Sequence, residues 1–278
     1  MKKYERVVCV MSGGGAKAAA HAGAMRALEE WGLEPRHFVG TSMGAVVGAT
    51  FAAGLHYDDV LKRMMLISRR DVAQFSRTLL LGPFAESFLK AEPLKRTIDA
   101  LVPVQQFDKM KKPLTVTAVD VRNGRLTLFG EGGTERVSVV EALYASCALP
   151  LYYPPARIGD RDYVDGGLRA VLPLDVAAMF EPDLIVAVAV GPSLYAAPPE
   201  HSGRIPPMLQ AHNDALRILM AAQTERTIER FRQGPTPLVL VRPSLEQQAT
   251  FAVGSVVRYI EEGYRAATRA LHEFLGAS

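Results

Sequence analysis

Short apolar runs alternate with longer stretches of helical spacing along most of this chain. Continuous apolar runs predict buried strands, and these lie at residues 6–11, 37–39, 114–121, 184–190 and 238–241. Stretches whose apolar residues recur every three or four positions predict helices, at about residues 16–31, 45–54, 58–102, 138–150, 205–233 and 253–275. Strands that alternate with helices predict an α/β fold whose parallel-dominated sheet is covered on both faces.

Two hairpins interrupt this alternation. Asn123-Gly124 is a strong turn signal, and it predicts that residues 125–129 pair with the strand at 114–121. Residues 156–164 predict a second hairpin, which Asp165-Gly166-Gly167 closes. The sheet is therefore expected to be largely, rather than wholly, parallel.

The segment from about 58 to 102 predicts a helical cap, with breaks at Gly82-Pro83 and Glu92-Pro93. Within it, residues 61–89 carry apolar groups between basic residues, a pattern compatible with a lid that makes transient contact with anionic membranes. The alternative is a cap packed on the core, which we favour because apolar runs are usually buried. The loosest stretch, residues 191–207, predicts a long loop.

Composition fits a single α/β domain over residues 1–278, because 49% of the residues are apolar. The net charge of +3 is small and spread along the chain, so nucleic-acid binding is not expected. Cys9 and Cys147 lie in apolar surroundings and predict buried free thiols. No apolar run approaches the roughly 18 residues of a membrane span and no leader pattern is visible, so we expect a cytoplasmic protein.

Gly40-Thr41-Ser42-Met43-Gly44 follows an extended apolar stretch and leads into a helix. This strand–turn–helix context is typical of a nucleophile elbow, in which glycines on either side of the serine relieve crowding. Ser42 would then present its hydroxyl at a helix N-terminus, where unpaired amides favour developing negative charge. The plainer interpretation is a helix cap.

Ser12-Gly13-Gly14-Gly15 lies between the first strand and the first helix. Glycine amides at such a turn can bind an anion, so a nucleotide phosphate loop and an oxyanion hole both compete with an empty tight turn. Ala18 stands where the dinucleotide fingerprint needs glycine, and the Walker Lys-Ser/Thr ending is absent.

A serine nucleophile needs a base, and the chain holds six histidines, at positions 21, 37, 56, 201, 212 and 272. Each lies in a context typical of solvent-facing or satisfied histidines. Asp165 differs, because it ends a strand pattern and precedes Gly166 and Gly167. A partly desolvated carboxylate held against a serine hydroxyl can act as a base, although an isolated Asp-Gly turn is the commoner reading.

These stretches, in this order, resemble the patatin-like phospholipases, as do residues 145–150 and Glu262-Gly263-Tyr264. The similarity extends from about residue 6 to 270. Within the family, the chain most resembles the compact bacterial members related to neuropathy target esterase. It implies a three-layer α/β/α sandwich with a largely parallel central sheet, and a Ser–Asp dyad without histidine. The implied roles are Ser42 as nucleophile, Asp165 as base and the Gly13–Gly15 amides as oxyanion hole, with Gly40, Gly44, Gly166 and Gly167 as motif glycines. Ala18 departs from the family, which has glycine there.

The resemblance implies a two-step hydrolysis of lipid esters, of the phospholipase A, lysophospholipase or esterase type, with a lipid or acyl ester as the partner. No ligand cluster for a metal is visible, so neither calcium nor another cofactor is expected. The alternatives are an acyltransferase on a related fold and a non-catalytic scaffold. Malonyl-type transacylases carry histidine beside the serine, where this chain has Thr41.

Overall fold

The computed structural model describes residues 4–76, 87–194, 207–245 and 255–276. An eight-stranded sheet runs through the described part of the chain, in the order β5-β6-β3-β2-β1-β7-β8, with β4 also paired to β3. The strands are β1 Val7–Met11, β2 His37–Thr41, β3 Leu114–Asp120, β4 Leu126–Gly130, β5 Ala156–Ile158, β6 Arg161–Asp165, β7 Leu184–Val188 and β8 Leu238–Val241.

The parallel part of the sheet is buried on both faces, as its continuous apolar runs predict. In β1, Val7, Cys9 and Met11 belong to one hydrophobic core, whereas Val8 and Val10 belong to a second core on the opposite face. This follows from the alternation of side chains along a strand. Two cores separated by one sheet make the three-layer α/β/α architecture, and that prediction is confirmed.

Helices form both outer layers. They are α1 Ala19–Glu30, α2 Met43–Ala52, α3 Tyr57–Met65, α4 Arg69–Val72, α5 Ala91–Leu101, α6 Val139–Cys147, α7 Gly167–Ala170, α8 Leu174–Ala178, α9 Pro207–Arg232 and α10 Val256–Gly276. Buried residues of α1, α2, α5, α6 and α10 contribute to the first core. Residues of α8 and α9 contribute to the second core. A short 3₁₀ turn over Gly15–Ala18 precedes α1.

Both predicted hairpins are confirmed. Strands β3 and β4 pair antiparallel across the turn at Asn123 and Gly124, where Gly124 has a φ of +66°. Strands β5 and β6 form the second hairpin, and β6 also runs antiparallel to β3. One half of the sheet is therefore parallel and the other half is mixed.

The predicted break at Glu92-Pro93 corresponds to the start of α5, because residues 87–90 are not helical and the helix begins at Ala91. Pro93 lies in the first turn of α5, where a missing N–H leaves no helical hydrogen bond unmade. The rest of the segment divides into α3, α4 and α5. The predicted break at Gly82-Pro83, the group Leu79–Leu81 and most of the predicted loop at 191–207 lie outside the described residues.

Helices α1 and α10 cross at very short range through two glycines. A Cβ on Gly23 would overlap the backbone around Ile260, and a Cβ on Gly263 would overlap the backbone around Ala20. Glycine at both crossing points lets the two helices approach closely. The crossing fixes the position of α1, which begins directly after the glycine loop that follows β1.

Candidate active site

The nucleophile elbow forms where β2 turns into α2. Ser42 occupies the turn with φ +55° and ψ −138°, a conformation that is rare for a residue with a side chain. A Cβ at Gly40 would overlap Ala45, and a Cβ at Gly44 would overlap the carbonyl groups of Met11 and Ser12. Both motif glycines are therefore required by close backbone approach.

Ser42 and Asp165 meet at the centre of the candidate site. Ser42 Oγ donates a hydrogen bond of 2.8 Å to Asp165 Oδ2, although the two residues are 123 positions apart in the chain. The other carboxylate oxygen, Oδ1, accepts the Gly167 N–H at 2.7 Å. Gly166 is also required sterically, since a Cβ there would overlap Thr117. The carboxylate is therefore held by one side-chain bond and one backbone bond.

The sheet topology explains this meeting. Thr41, the last residue of β2, pairs with Thr117 in the middle of β3. Because β6 runs antiparallel to β3, it ends beside the middle of that strand, where Asp165 pairs with Ala118. The end of β6 therefore lies next to the end of β2, and the two candidate residues face each other.

Burial sets the proton affinity of the Asp165 carboxyl. Desolvation raises its pKa from the ordinary value of 3.8 to about 6, against the opposing effects of the Gly167 N–H and the Ser42 hydroxyl. The group is thus ionised at neutral pH, yet it binds a proton more readily than an exposed aspartate does. A pKa near the working pH is the property required of a general base.

The glycine loop passes directly against Ser42. A Cβ on Gly13 would lie 3.2 Å from Ser42 Cβ. The Gly13 N–H donates to the Val171 carbonyl at 3.0 Å, so this amide is already used within the fold. Within the described residues no acceptor faces the N–H of Gly14 or Gly15, and Gly15 adopts a φ of +58°. Of the three predicted amides, those two remain available to a substrate oxygen.

Helix α6 contributes contacts that the sequence patterns did not reveal. Ser146 Oγ accepts the N–H of Ser42 at 2.7 Å, and Ser146 is fully buried. Cys147 Sγ lies 3.9 Å from the sulfur of Met43, and burial together with the Asp165 charge raises the pKa of the Cys147 thiol. The only sequence signal for these roles was the stretch 145–150, noted as resembling the family. Cys9 and Cys147 are both buried free thiols, as predicted.

The N–H of Met43 is another donor that sequence reasoning missed. Met43 follows Ser42 directly at the start of α2, a position that supplies an oxyanion-hole donor in nucleophile elbows. None of the described residues offers it an acceptor.

Two histidines are buried, and neither contacts the Ser42–Asp165 pair. The ring of His21 meets the Ser12 carbonyl through Nε2 at 2.9 Å, and that of His37 meets Thr115 Oγ1 through Nε2 at 2.8 Å. No hydrogen bond joins Ser42 or Asp165 to any histidine in the described ranges, and His201 lies outside them. The same ranges contain no group of three or more side chains arranged to hold a metal ion.

These features define an α/β protein with a buried serine–carboxylate pair beside a glycine loop. The sequence profile of the patatin-like phospholipase family matches residues 9–178, which include the loop, the elbow and Asp165. The chain therefore belongs to the patatin-like phospholipase family, and the resemblance stated from its motifs is confirmed.

Curated relatives align with more than half of this chain. An uncharacterised NTE family protein of Mycobacterium tuberculosis is 30% identical over 190 residues, which are 68% of this chain and 50% of that protein. A human omega-hydroxyceramide transacylase is 30% identical over 169 residues, 58% of this chain and 30% of that enzyme. This chain therefore spans about half the length or less of these curated relatives.

The fold is shared with a solved structure at much lower identity. VipD from Legionella pneumophila superposes with a TM-score of 0.52 at 14% identity, over 98% of this chain and 67% of that one. No helix in the described ranges combines the length and apolar character needed to cross a bilayer.

Proposed function

We propose that this protein hydrolyses carboxylic ester bonds of lipids, with Ser42 as the nucleophile and Asp165 as the general base. The observation that carries the proposal is the 2.8 Å hydrogen bond from Ser42 Oγ to the buried Asp165 carboxylate. A serine hydroxyl becomes an effective nucleophile only when a neighbouring base can take its proton. Asp165 is the group that meets this requirement within the described residues.

In the first step, Asp165 Oδ2 accepts the hydroxyl proton while Ser42 Oγ forms a bond to the acyl carbon. The carbonyl oxygen then carries negative charge, and the free amides of Gly14 and Gly15 are the donors proposed to stabilise it. The protonated Asp165 returns its proton to the departing alcohol or lysolipid, which leaves an acyl-serine.

In the second step, the Asp165 carboxylate takes a proton from water, and the resulting nucleophile attacks the acyl carbon. Cleavage of the bond to Ser42 Oγ releases the fatty acid, and the proton returns from Asp165 to the serine. The elevated pKa of Asp165 suits both directions of transfer, because the carboxyl gains and loses a proton once in each half-reaction.

Acyl transfer is the second candidate, and one observation favours it. A relative that is 30% identical over 58% of this chain is an omega-hydroxyceramide transacylase. The same acyl-serine would then react with a lipid alcohol in place of water. Hydrolysis carried out with an added long-chain alcohol would separate the two, because a transferase forms the new ester in preference to the free acid.

A lipid substrate also supports contact with a membrane surface. Leu66 and Phe75 are large apolar residues that are 83% and 73% exposed, and Arg69 and Arg70 lie exposed between them. We therefore propose that this end of the helical segment touches anionic lipid. Phe75→Ser should lower hydrolysis of esters in anionic vesicles and leave hydrolysis of a water-soluble ester unchanged. If Phe75→Ser lowered hydrolysis of both substrates equally, the proposed membrane contact of this surface would be contradicted.

The test of the proposed function is a panel of esters of graded chain length, with and without a phosphate head group. Wild-type protein should release fatty acid, and Ser42→Ala should not. Ser244→Ala, at an exposed position after β8, is the control for substitution of a serine. Absence of turnover in the wild type across the whole panel would favour a non-catalytic scaffold.

A further inference from the structure

His21 is a fully buried residue of α1 that the proposed reaction does not use. Its Nε2 lies 2.9 Å from the carbonyl oxygen of Ser12. Because a carbonyl oxygen can only accept, Nε2 must carry the hydrogen of the neutral ring. Nδ1 is then left as an acceptor, and it is buried without any hydrogen-bond partner.

This arrangement is unfavourable for stability. Burying an unpaired polar atom destabilises a fold, so an apolar side chain would suit this part of the core better than an imidazole does. Burial also lowers the pKa of His21 from 6.5 to about 4, which keeps the ring neutral near pH 7. Among the described residues, the one hydrogen bond made by the His21 ring is the bond to the Ser12 carbonyl.

Ser12 connects β1 to the glycine loop and is held on several sides. Its N–H donates to the Val188 carbonyl at 3.1 Å, and its Oγ accepts the Val190 N–H at 2.8 Å. Its carbonyl lies between the His21 ring and Gly44 of α2, where a Cβ would overlap it. The Ser12–Gly13 peptide, from which the glycine loop continues, is therefore held at its carbonyl by the His21 donor and at its N–H by the Val171 carbonyl.

We propose that His21 is a positioning residue for the oxyanion hole. Its Nε2–H sets the orientation of the Ser12–Gly13 peptide, and this orientation aims the free amides of Gly14 and Gly15 at the substrate oxygen. The inference rests on the proposed function, because it assigns a role within the same reaction. His21 touches neither Ser42 nor Asp165, so it acts through the loop and exchanges no proton.

His37 supplies a matched control within the same molecule. It is also buried, its Nε2 also makes one hydrogen bond, and burial also lowers its pKa from 6.5 to about 4. It lies at the first residue of β2, whereas Ser42 follows the last residue of that strand. Both substitutions therefore remove a buried imidazole that makes one hydrogen bond, and the bond made by His37 goes to Thr115 and not to the glycine loop.

The experiment compares His21→Met, His21→Gln and His21→Asn with His37→Met. Methionine removes the donor with little change in volume, glutamine can place an N–H close to the Nε2 position, and asparagine is too short to do so. For each variant, kcat, KM and thermal unfolding are measured with a water-soluble ester. The affinity for a trifluoromethyl ketone is also measured, because addition of Ser42 Oγ to its carbonyl carbon gives a hemiketal whose oxygen mimics the oxyanion and reports on the hole directly.

His21→Met should lower kcat about 10- to 100-fold with KM changed less than about threefold, as expected when a transition-state contact is misaligned. The trifluoromethyl ketone should lose affinity by a similar factor. His21→Gln should recover most of the loss, His21→Asn should not, and His37→Met should retain kcat. If His21→Met does not fold, the Gln and Asn pair decides the question, since both are amides and differ only in reach.

The inference is overturned if the wild type turns over the ester and the His21 variants lose no more kcat than His37→Met. It is also overturned if glutamine performs no better than asparagine, or if kcat falls while trifluoromethyl ketone affinity is unchanged. A wild type without turnover on any ester argues against the proposed function itself, so the two failures are distinguishable.

Discussion

Both ends of β2 carry buried polar groups, but the two ends differ in how completely those groups are hydrogen-bonded. At the start of the strand, His37 bonds to Thr115 Oγ1, and this hydroxyl donates in turn to the Glu131 carbonyl at 2.7 Å. The His37 ring also packs on Phe180 with centroids 4.0 Å apart. This end is built as ordinary core, and none of its described side-chain polar atoms is fully buried without a hydrogen-bond partner.

The other end of β2 accumulates strain and unmet polar groups. Ser42 adopts a positive φ, Asp165 is a buried carboxylate, and His21 keeps an unpartnered nitrogen. The amides of Gly14 and Gly15 face no acceptor in the described structure. The strained backbone and the buried polar groups cost stability, and we infer from their concentration at one end of one strand that this end carries the proposed active site. The predictions below test this contrast.

The largest effect is expected at the nucleophile. Ser42→Ala should lower ester turnover by about 10⁴-fold or more, as removal of a nucleophile does in other serine hydrolases. The fold should persist, because the substitution leaves the backbone and its bond to Ser146 in place. Turnover of p-nitrophenyl esters and thermal unfolding measure both. If Ser42→Ala turned over the ester at the wild-type rate, Ser42 would have no part in the mechanism.

Asp165→Asn should be as inactive as Ser42→Ala and yet more stable than the wild type. The pKa of Asp165 is raised from 3.8 to about 6 because ionising the buried carboxyl destabilises the fold. The stability associated with the protonated carboxyl is therefore fully present below pH 3.8 and is lost as the pH rises through 6. Above pH 6 this penalty amounts to about 3 kcal/mol at 1.36 kcal/mol per pKa unit. Asparagine carries no charge and can still accept the Gly167 N–H.

Urea unfolding at pH 8 and at pH 4 measures this gain in stability. Asp165→Asn should exceed the wild type clearly at pH 8 and only slightly at pH 4. A variant that is less stable at pH 8 would contradict the account of a destabilised carboxylate. The acidic limb of the wild-type rate profile should fall near pH 6 for the same reason.

A side chain in the glycine loop should lower activity less than loss of either dyad residue. Gly14→Ala should reduce kcat by about 10²-fold, as lost oxyanion donors do. A Cβ there would lie 2.8 Å from Val190 Cγ2, so the loop must move. Adding Val190→Ala should restore part of kcat by giving the loop room. If the substitution changed only KM, the loop would contribute to substrate binding and not to stabilisation of the oxyanion.

The smallest effect on activity is expected at the well-paired end of β2. His37→Met should retain kcat and make stability less sensitive to acid. Burial lowers the pKa of His37 from 6.5 to about 4, so the stability that it contributes is present above pH 6.5 and lost as pH falls through 4. Thermal unfolding between pH 4 and 7 measures how steeply stability changes with pH in the variant and in the wild type. An unchanged slope would show that the ring does not titrate as its burial requires.

The local patterns carried most of the fold. Continuous apolar runs indicated β1 and β7, and Asn123-Gly124 indicated the β3–β4 hairpin, because these signals reside in adjacent residues. Pro93 indicated a helix boundary, but a proline can follow the end of one helix or occupy the first turn of the next, and only the neighbouring structure decides between the two.

The site was predictable only in part, and for a physical reason. The glycines around Ser42 and Asp165 leave a local trace, since close backbone approach demands them. The contact of His21 with the Ser12 carbonyl and that of Ser146 with the Ser42 N–H leave none. They depend on how α1 and α6 pack against the sheet, and any helix interior can carry histidine or serine.

The most direct test of the dyad is the rate of covalent labelling by a fluorophosphonate, followed by intact mass and peptide mapping. The probe reacts with an activated serine and requires neither a substrate head group nor a lipid surface. Wild-type protein and His37→Met should gain one adduct at Ser42 at the same rate, and Asp165→Asn should label at least 100-fold more slowly, in proportion to the lost base. Labelling at another residue, or equal rates in the wild type and Asp165→Asn, would contradict the claim that Asp165 activates Ser42.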